Sequence, residues 1–150
     1  MATIQTLRGF ATVSFYAADM AAARKWYSEL FGIEPYFAKP NAENPAYLEF
    51  RVGDFQHELG IIDSKYAPHK TGAAAGGSIM YWHVDNLEEM LERVKNMGAV
   101  EHEGITERGA GFVTASVVDP FGNILGLMYN PHYVETWNKL KKAVPAGSEA

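Results

Sequence analysis

The chain has 150 residues, a formal net charge of -5 and a pI near 5.5, a balance that removes the electrostatic case for nucleic acid or an anionic membrane surface as partner. It contains no cysteine, so disulfides, thiolate nucleophiles and cysteine metal ligands are excluded together. The 47% hydrophobic and 21% charged fractions are those of an ordinary globular domain, no stretch reaches membrane-spanning length, and Met1 to Phe10 carries no long apolar leader; the expectation is a cytoplasmic protein that meets small organic molecules and other protein surfaces.

From the N-terminus, Phe10 to Tyr16 sets Val13 and Phe15 against Thr12, Ser14 and Tyr16, the period-two pattern of a strand covered on one side. Asp19 supplies the N-cap of a helix reaching Leu30, with Trp26 and Leu30 on its apolar stripe and Gly32 as its stop. Three short strands follow, near Tyr36-Phe37, Tyr47–Val52 and His57-Ile62, separated by turn residues at 40–44 and 53–54. Residues 8–63 thus read as one β-α-β-β-β unit. The stretch 64–77, with Pro68, Gly72, Gly76, Gly77 and a run of alanines, cannot build a packed element and reads as a linker.

A second unit occupies 78–130. A strand over 79–84 leads to Asn86-Leu87-Glu88-Glu89, which has the form of a capping box. The helix it opens carries Leu87, Met90, Leu91, Val94 and Met97 on one face before Gly98. Strands are expected near Val100-His102, Phe112–Val118 and Ile124–Tyr129. Between the last two, Asp119-Pro120-Phe121-Gly122-Asn123 makes a hairpin turn: Asp-Pro initiates it and Gly-Asn tolerates positive φ. Asn130-Pro131 then has the form of an N-cap followed by proline at the first position of a helix over 131–142. Tyr133, Trp137 and Leu140 share one side of that helix, and Lys139, Lys141 and Lys142 suit its carbonyl end. Residues 143–150 read as a frayed tail.

The halves look like copies. Leu59-Gly60-Ile61-Ile62 is echoed by Leu125-Gly126-Leu127-Met128, and the pairs Asp19/Asp85, Gly32/Gly98 and Gly60/Gly126 share one offset of 66 residues (126 − 60). The expected fold is α+β: two tandem β-α-β-β-β units plus a C-terminal helix.

The tandem units, the Asp-initiated helices ending at glycine and the closing pattern Asp119-Pro120-x-Gly122-Asn123-x-x-x-Leu127 together resemble the vicinal oxygen chelate superfamily, which includes glyoxalase I, bleomycin-resistance proteins and extradiol dioxygenases. The likeness runs from Phe10 to Tyr129. It implies a single domain whose mixed sheet curls around a cleft, and a homodimer, for which Tyr133 and Trp137 offer apolar surface. In metal-dependent members the first and last strands of each unit each give one ligand. Those positions fall here on Thr12, Gly60, Ile79 (Ser78 with the register shifted by one) and Gly126, none of which offers imidazole or carboxylate. No resident metal is therefore expected. A divalent metal held off the usual positions by Glu58 and His83 is the alternative.

Alternation turns Val13, Phe15, Ala17, Leu59, Ile61, Trp82, Leu125 and Leu127 towards the helices, and Thr12, Ser14, Tyr16, Glu58, Tyr81, His83, Ile124 and Met128 away from them. The ligand-binding candidates on the second face are Thr12, Ser14, Tyr16, Gly60, Tyr81, Gly126 and Met128. Gly60 and Gly126 either leave room for a ligand to approach backbone or mark close packing. Histidine is the side chain suited to general-base work near neutral pH. His83 can fill that role with Glu58 orienting it, or can be a strand-end histidine bonded to a tyrosine or to solvent. Tyr16, Tyr36, Phe37, Tyr47, Tyr66 and Tyr81 can wall a pocket or belong to the core. Arg51 and Arg108 are expected at the surface, His69 and His102 in solvent, and His132 at a surface or interface.

Two functions follow. The first is metal-independent binding of a small organic molecule, as in drug-sequestering resistance proteins. The alternative is a lyase, isomerase or dioxygenase-like enzyme using His83 and Glu58 as acid and base or as off-pattern metal ligands.

Overall fold

A computed structural model describes residues 6–69 and 74–143. The chain divides into two compact units, Met1–Ala73 and Ala74–Ala150, with the boundary inside the stretch 64–77.

The first unit runs through strand β1 (Thr12–Ala17), helix α1 (Met20–Phe31), and strands β2 (Phe37–Lys39), β3 (Tyr47–Val52) and β4 (His57–Asp63). Its four-stranded sheet has the order β1-β4-β3-β2, with β1 parallel to β4 and the other pairs antiparallel. α1 starts where the Asp19 carboxylate accepts the Ala22 N–H at 3.0 Å. It stops where Gly32 turns left-handed at φ 69° and gives its N–H to the Ser28 carbonyl. Tyr27 packs on Phe15 and Phe31 on Phe50, with ring centroids 6.0 and 5.4 Å apart. Leu48, Phe50, Leu59 and Ile61 are fully buried beneath them, each contributing roughly 1.5–3 kcal/mol of apolar burial.

The second unit repeats the order with β5 (Tyr81–His83), α2 (Leu87–Asn96), β6 (Val100–Gly109), β7 (Phe112–Val118) and β8 (Ile124–Tyr129), and adds α3 (Pro131–Ala143). The sheet order is β5-β8-β7-β6, again with the outer pair β5 and β8 parallel. Leu91 and Val94 of α2 are buried with Ala115, Val117, Leu125 and Leu127 of the sheet. The hairpin turn forms as its sequence requires: Asp119, only 4% exposed, accepts the backbone N–H of Phe121 at 2.9 Å and of Asn123 at 2.8 Å, and its other oxygen accepts the Asn123 amide at 3.0 Å.

Several expectations need adjustment. β5 has three residues rather than the span 79–84, although the flanking backbone still bonds to β8 through Gly126 N–H to Met80 O and Val84 N–H to Met128 O. β6 has ten residues rather than three, because register shifts after Glu101, Glu103 and Glu107 let a charged edge strand keep its pairing with β7. The capping box at the start of α2 forms as expected, the Asn86 side chain accepting the Glu89 N–H at 3.1 Å, so that Asp85 matches Asp19 in spacing without sharing its role. Within 64–77, Ser64–Tyr66 forms a 3-10 turn closed by the Asp63 carboxylate, while residues 70–73, like the tail from 144, lie outside the described residues.

Candidate functional site

The face of the first sheet turned away from α1 carries a connected set of polar side chains. Parallel pairing sets Thr12 opposite Glu58, Ser14 opposite Gly60 and Tyr16 opposite Ile62. Antiparallel pairing adds Glu49 beside Gly60 and Arg51 beside Glu58. The Thr12 hydroxyl donates to one Glu58 oxygen at 2.9 Å, and the other oxygen lies 3.9 Å from the Arg51 guanidinium. Arg51 sits 4.9 Å over the Tyr36 ring. The Tyr36 hydroxyl donates to one oxygen of Glu49, and the Tyr47 hydroxyl donates to the other at 2.8 Å. Two phenols thus converge on one carboxylate.

Ionising either phenol would place a phenolate against Glu49. Burial first, then the bond to Glu49, pushes the Tyr47 hydroxyl well above the ordinary phenol value of 10.0. Tyr36 is raised chiefly by its own bond to Glu49, and Arg51 chiefly by its contact with Tyr36. Both tyrosines therefore stay protonated donors through the neutral range.

The two glycines are closed rather than open. A Cβ on Gly60 would stand 2.8 Å from both Cε2 and the hydroxyl oxygen of Tyr47, and one on Gly126 would stand 2.7 Å from the Met80 carbonyl, 2.8 Å from the Tyr81 ring and 2.9 Å from Ile79. Both glycines are closely packed in this structure. Over Gly60 the Tyr47 ring fills the space that the missing side chain leaves; over Gly126 the Met80 carbonyl fills it together with the Tyr81 ring and Ile79.

On the corresponding face of the second sheet, fully buried Ser116 bonds through its hydroxyl to Nδ1 of His102 at 3.0 Å, while His102 itself is exposed as expected. Arg108 donates to the Thr114 hydroxyl at 3.0 Å and pairs with Glu103. Ile124 belongs to this face by register yet is buried. His69 stands edge-on to Tyr16 at 5.1 Å, and His132 edge-on to Phe112 at 4.9 Å.

His83 is engaged on all sides within its own unit. The Asn130 N–H donates to Nδ1 at 3.1 Å, which places the proton of the neutral ring on Nε2, 3.2 Å from Asp85. The Tyr133 ring stacks on the imidazole at 4.7 Å and 16°. His83 therefore seats the start of α3, and Tyr133, expected as free surface, is spent on it. Glu58 for its part is held by Thr12 and Arg51.

Sequence patterning brought Thr12, Ser14, Tyr16, Glu58 and Gly60 onto one face, and Tyr81, His83, Gly126 and Met128 onto another, as the registers have them. It missed Glu49 and Ser116. The alternation of Tyr47, Glu49 and Arg51 along β3 is the signal that could have found Glu49.

The four positions implied for metal ligands do not suit a divalent ion. Thr12 is bonded to Glu58, Gly60 and Gly126 lack the space for any donor side chain, and Ile79 is apolar. Among the described residues, no three His, Asp or Glu side chains are grouped so as to hold one.

Tandem β-α-β-β-β units with parallel outer pairs define the class of fold to which glyoxalases belong. Residues 9–127 match the Glyoxalase/Bleomycin resistance protein/Dioxygenase superfamily, and the chain belongs to that family. Among solved structures it is similar to a glyoxalase-related enzyme from Fulvimarina pelagi, at 20% identity over 83% of this chain and 90% of that one, with a TM-score of 0.65. It is similar to a lactoylglutathione lyase from Agrobacterium tumefaciens, at 18% identity over 84% and 96% with a TM-score of 0.62. The fosfomycin resistance protein FosX from Mesorhizobium loti matches at 14% identity over 87% and 99%, also with a TM-score of 0.62. These likenesses speak to the fold alone. No curated protein matches the chain.

Proposed function

We propose that the chain is a metal-independent small-molecule-binding protein of the glyoxalase/bleomycin-resistance type, taking an organic ligand on the sheet faces turned away from α1 and α2. The observation that carries this reading is the close packing over Gly60, by the Tyr47 ring, and over Gly126, by the Met80 carbonyl with the Tyr81 and Ile79 side chains, which removes two of the four implied ligand positions. What stands there instead is an aromatic wall with directed polar groups, the composition of a small-molecule site.

The acid–base reading, a lyase, isomerase or dioxygenase-like enzyme, draws less support. A general base needs a nitrogen free to reach substrate. Both nitrogens of His83 are in use within its own unit. A homodimer in the cytoplasm belongs to the same proposal, with Leu140 of α3, 46% exposed, as apolar surface in place of Tyr133.

Thermal melting of the full chain against a chemically varied set of small organic molecules, with and without chelator, tests the binding reading. Stabilising compounds are expected to act equally in chelator, since a ligand raises the melting point through its own affinity for the folded state. Stabilisation or turnover that appears only with added metal contradicts it.

A further inference from the structure

We propose that the surface of Gly60 is a subsite for a hydroxyaromatic group, held closed in the free chain by the Tyr47 side chain. The proposal rests on the small-molecule-binding reading above and names the class of ligand.

Tyr47 occupies the space over Gly60. The edge of its phenol, Cε2, Cζ and the hydroxyl oxygen, lies 2.8, 3.1 and 2.8 Å from where a Gly60 side chain would begin. A flat ring therefore lies on bare backbone in the middle of the sheet. Its hydroxyl reaches Glu49 at 2.8 Å, and Glu49 is fixed from the other side by the Tyr36 hydroxyl. The Phe37 ring stands edge-on to Tyr47 at 6.2 Å. Glycine floor, carboxylate acceptor and aromatic wall are the parts needed to hold a phenol, and Tyr47 is the phenol in place.

Tyr47 is the first residue of β3 and closes Gly60 with side-chain atoms alone, so rotation about its side-chain bonds is the movement that would bare the floor. A ligand phenol entering in its place restores the same contacts. The chemistry also says what is refused. A hydrocarbon ring leaves Glu49, half-buried, with the Tyr36 hydroxyl but without the second donor that a phenol supplies. An aromatic acid sets its own negative charge against Glu49 and Glu58.

Tyr47→Ala in the full chain provides the test, with phenol, toluene and benzoate as probes. Phenol is expected to raise the melting temperature of the variant and to bind it about tenfold or more tightly than wild type, because the competing side chain is gone. Toluene and benzoate are expected to do neither. In wild type, phenol should move the Gly60 amide resonance, and Glu49→Gln should weaken that titration about tenfold. This second measurement stands even where Tyr47→Ala does not fold. Equal rescue by toluene or benzoate, or a Gly60 amide that phenol leaves unmoved in wild type, overturns the proposal. If other compound classes stabilise the wild type while Gly60 ignores phenol, the subsite fails and the binding reading survives. Silence across all classes overturns both.

Discussion

The two units share strand order and a glycine at the same place in the last strand, yet they close that glycine differently. Over Gly60 the obstacle is the far end of one tyrosine side chain; over Gly126 it is the Met80 carbonyl as well as the Tyr81 and Ile79 side chains. The first unit is shut by something that can rotate, the second by its own backbone. The units also spend histidine and carboxylate differently: the first carries a chain of tyrosines, Glu49, Arg51, Glu58 and Thr12 on its face, whereas the second uses His83 to seat α3. A duplicated fold thus fixes where side chains point without fixing which of them are available for chemistry.

The comparison breaks most sharply at the glycines. Gly126→Ala forces backbone to move and is expected to cost about 3 kcal/mol, against about 1 kcal/mol for Gly60→Ala, where a phenol can swing aside; urea denaturation of the two variants gives the difference. Equal costs would mean that both sites are equally rigid.

Next in size is the turn that only the second unit possesses in this form. Asp119→Ala strips a buried acceptor from two backbone N–H groups and the Asn123 amide, with an expected loss of about 2–3 kcal/mol in the same assay. His83→Ala follows at about 2 kcal/mol, from the orphaned Asn130 N–H and the lost stacking on Tyr133. Its distinguishing sign is hydrogen exchange: protection should fall at the start of α3 while the first unit is untouched.

The smallest effect is one of pH. Tyr36 and Tyr47 hold their protons more tightly folded than unfolded, so their contribution to stability is full below the ordinary phenol value of 10.0 and is lost as pH rises above it. Alkaline unfolding followed at several pH values is expected to show that decline, and Tyr47→Phe should flatten it.

Much of this was legible in the sequence because it depends on local rules. The repeat, the Asp19 cap, the Gly32 stop and the Asp119 turn each rest on a residue whose side chain or φ dictates the backbone within a few positions. Face assignment followed from alternation. What was not legible depends on contacts across strands. β6 reads as a strand of only three residues at Val100-His102 because the charges that follow hide the rest, which survives by register shifts against β7. Gly60 reads equally as an opening or a packing point until the Tyr47 ring is seen upon it. The pairing of His83 with Asn130 spans 47 residues, and no periodicity announces it.

The central claim is that the family's metal positions are closed in this chain, and metal binding tests it most directly. Purified protein would be incubated in turn with zinc, nickel, manganese and iron(II), freed of excess ion, and assayed for bound metal by plasma mass spectrometry. No stoichiometric retention is expected, with melting unchanged by each ion. One equivalent held per chain, lost on substituting Glu58 or His83, would contradict the claim.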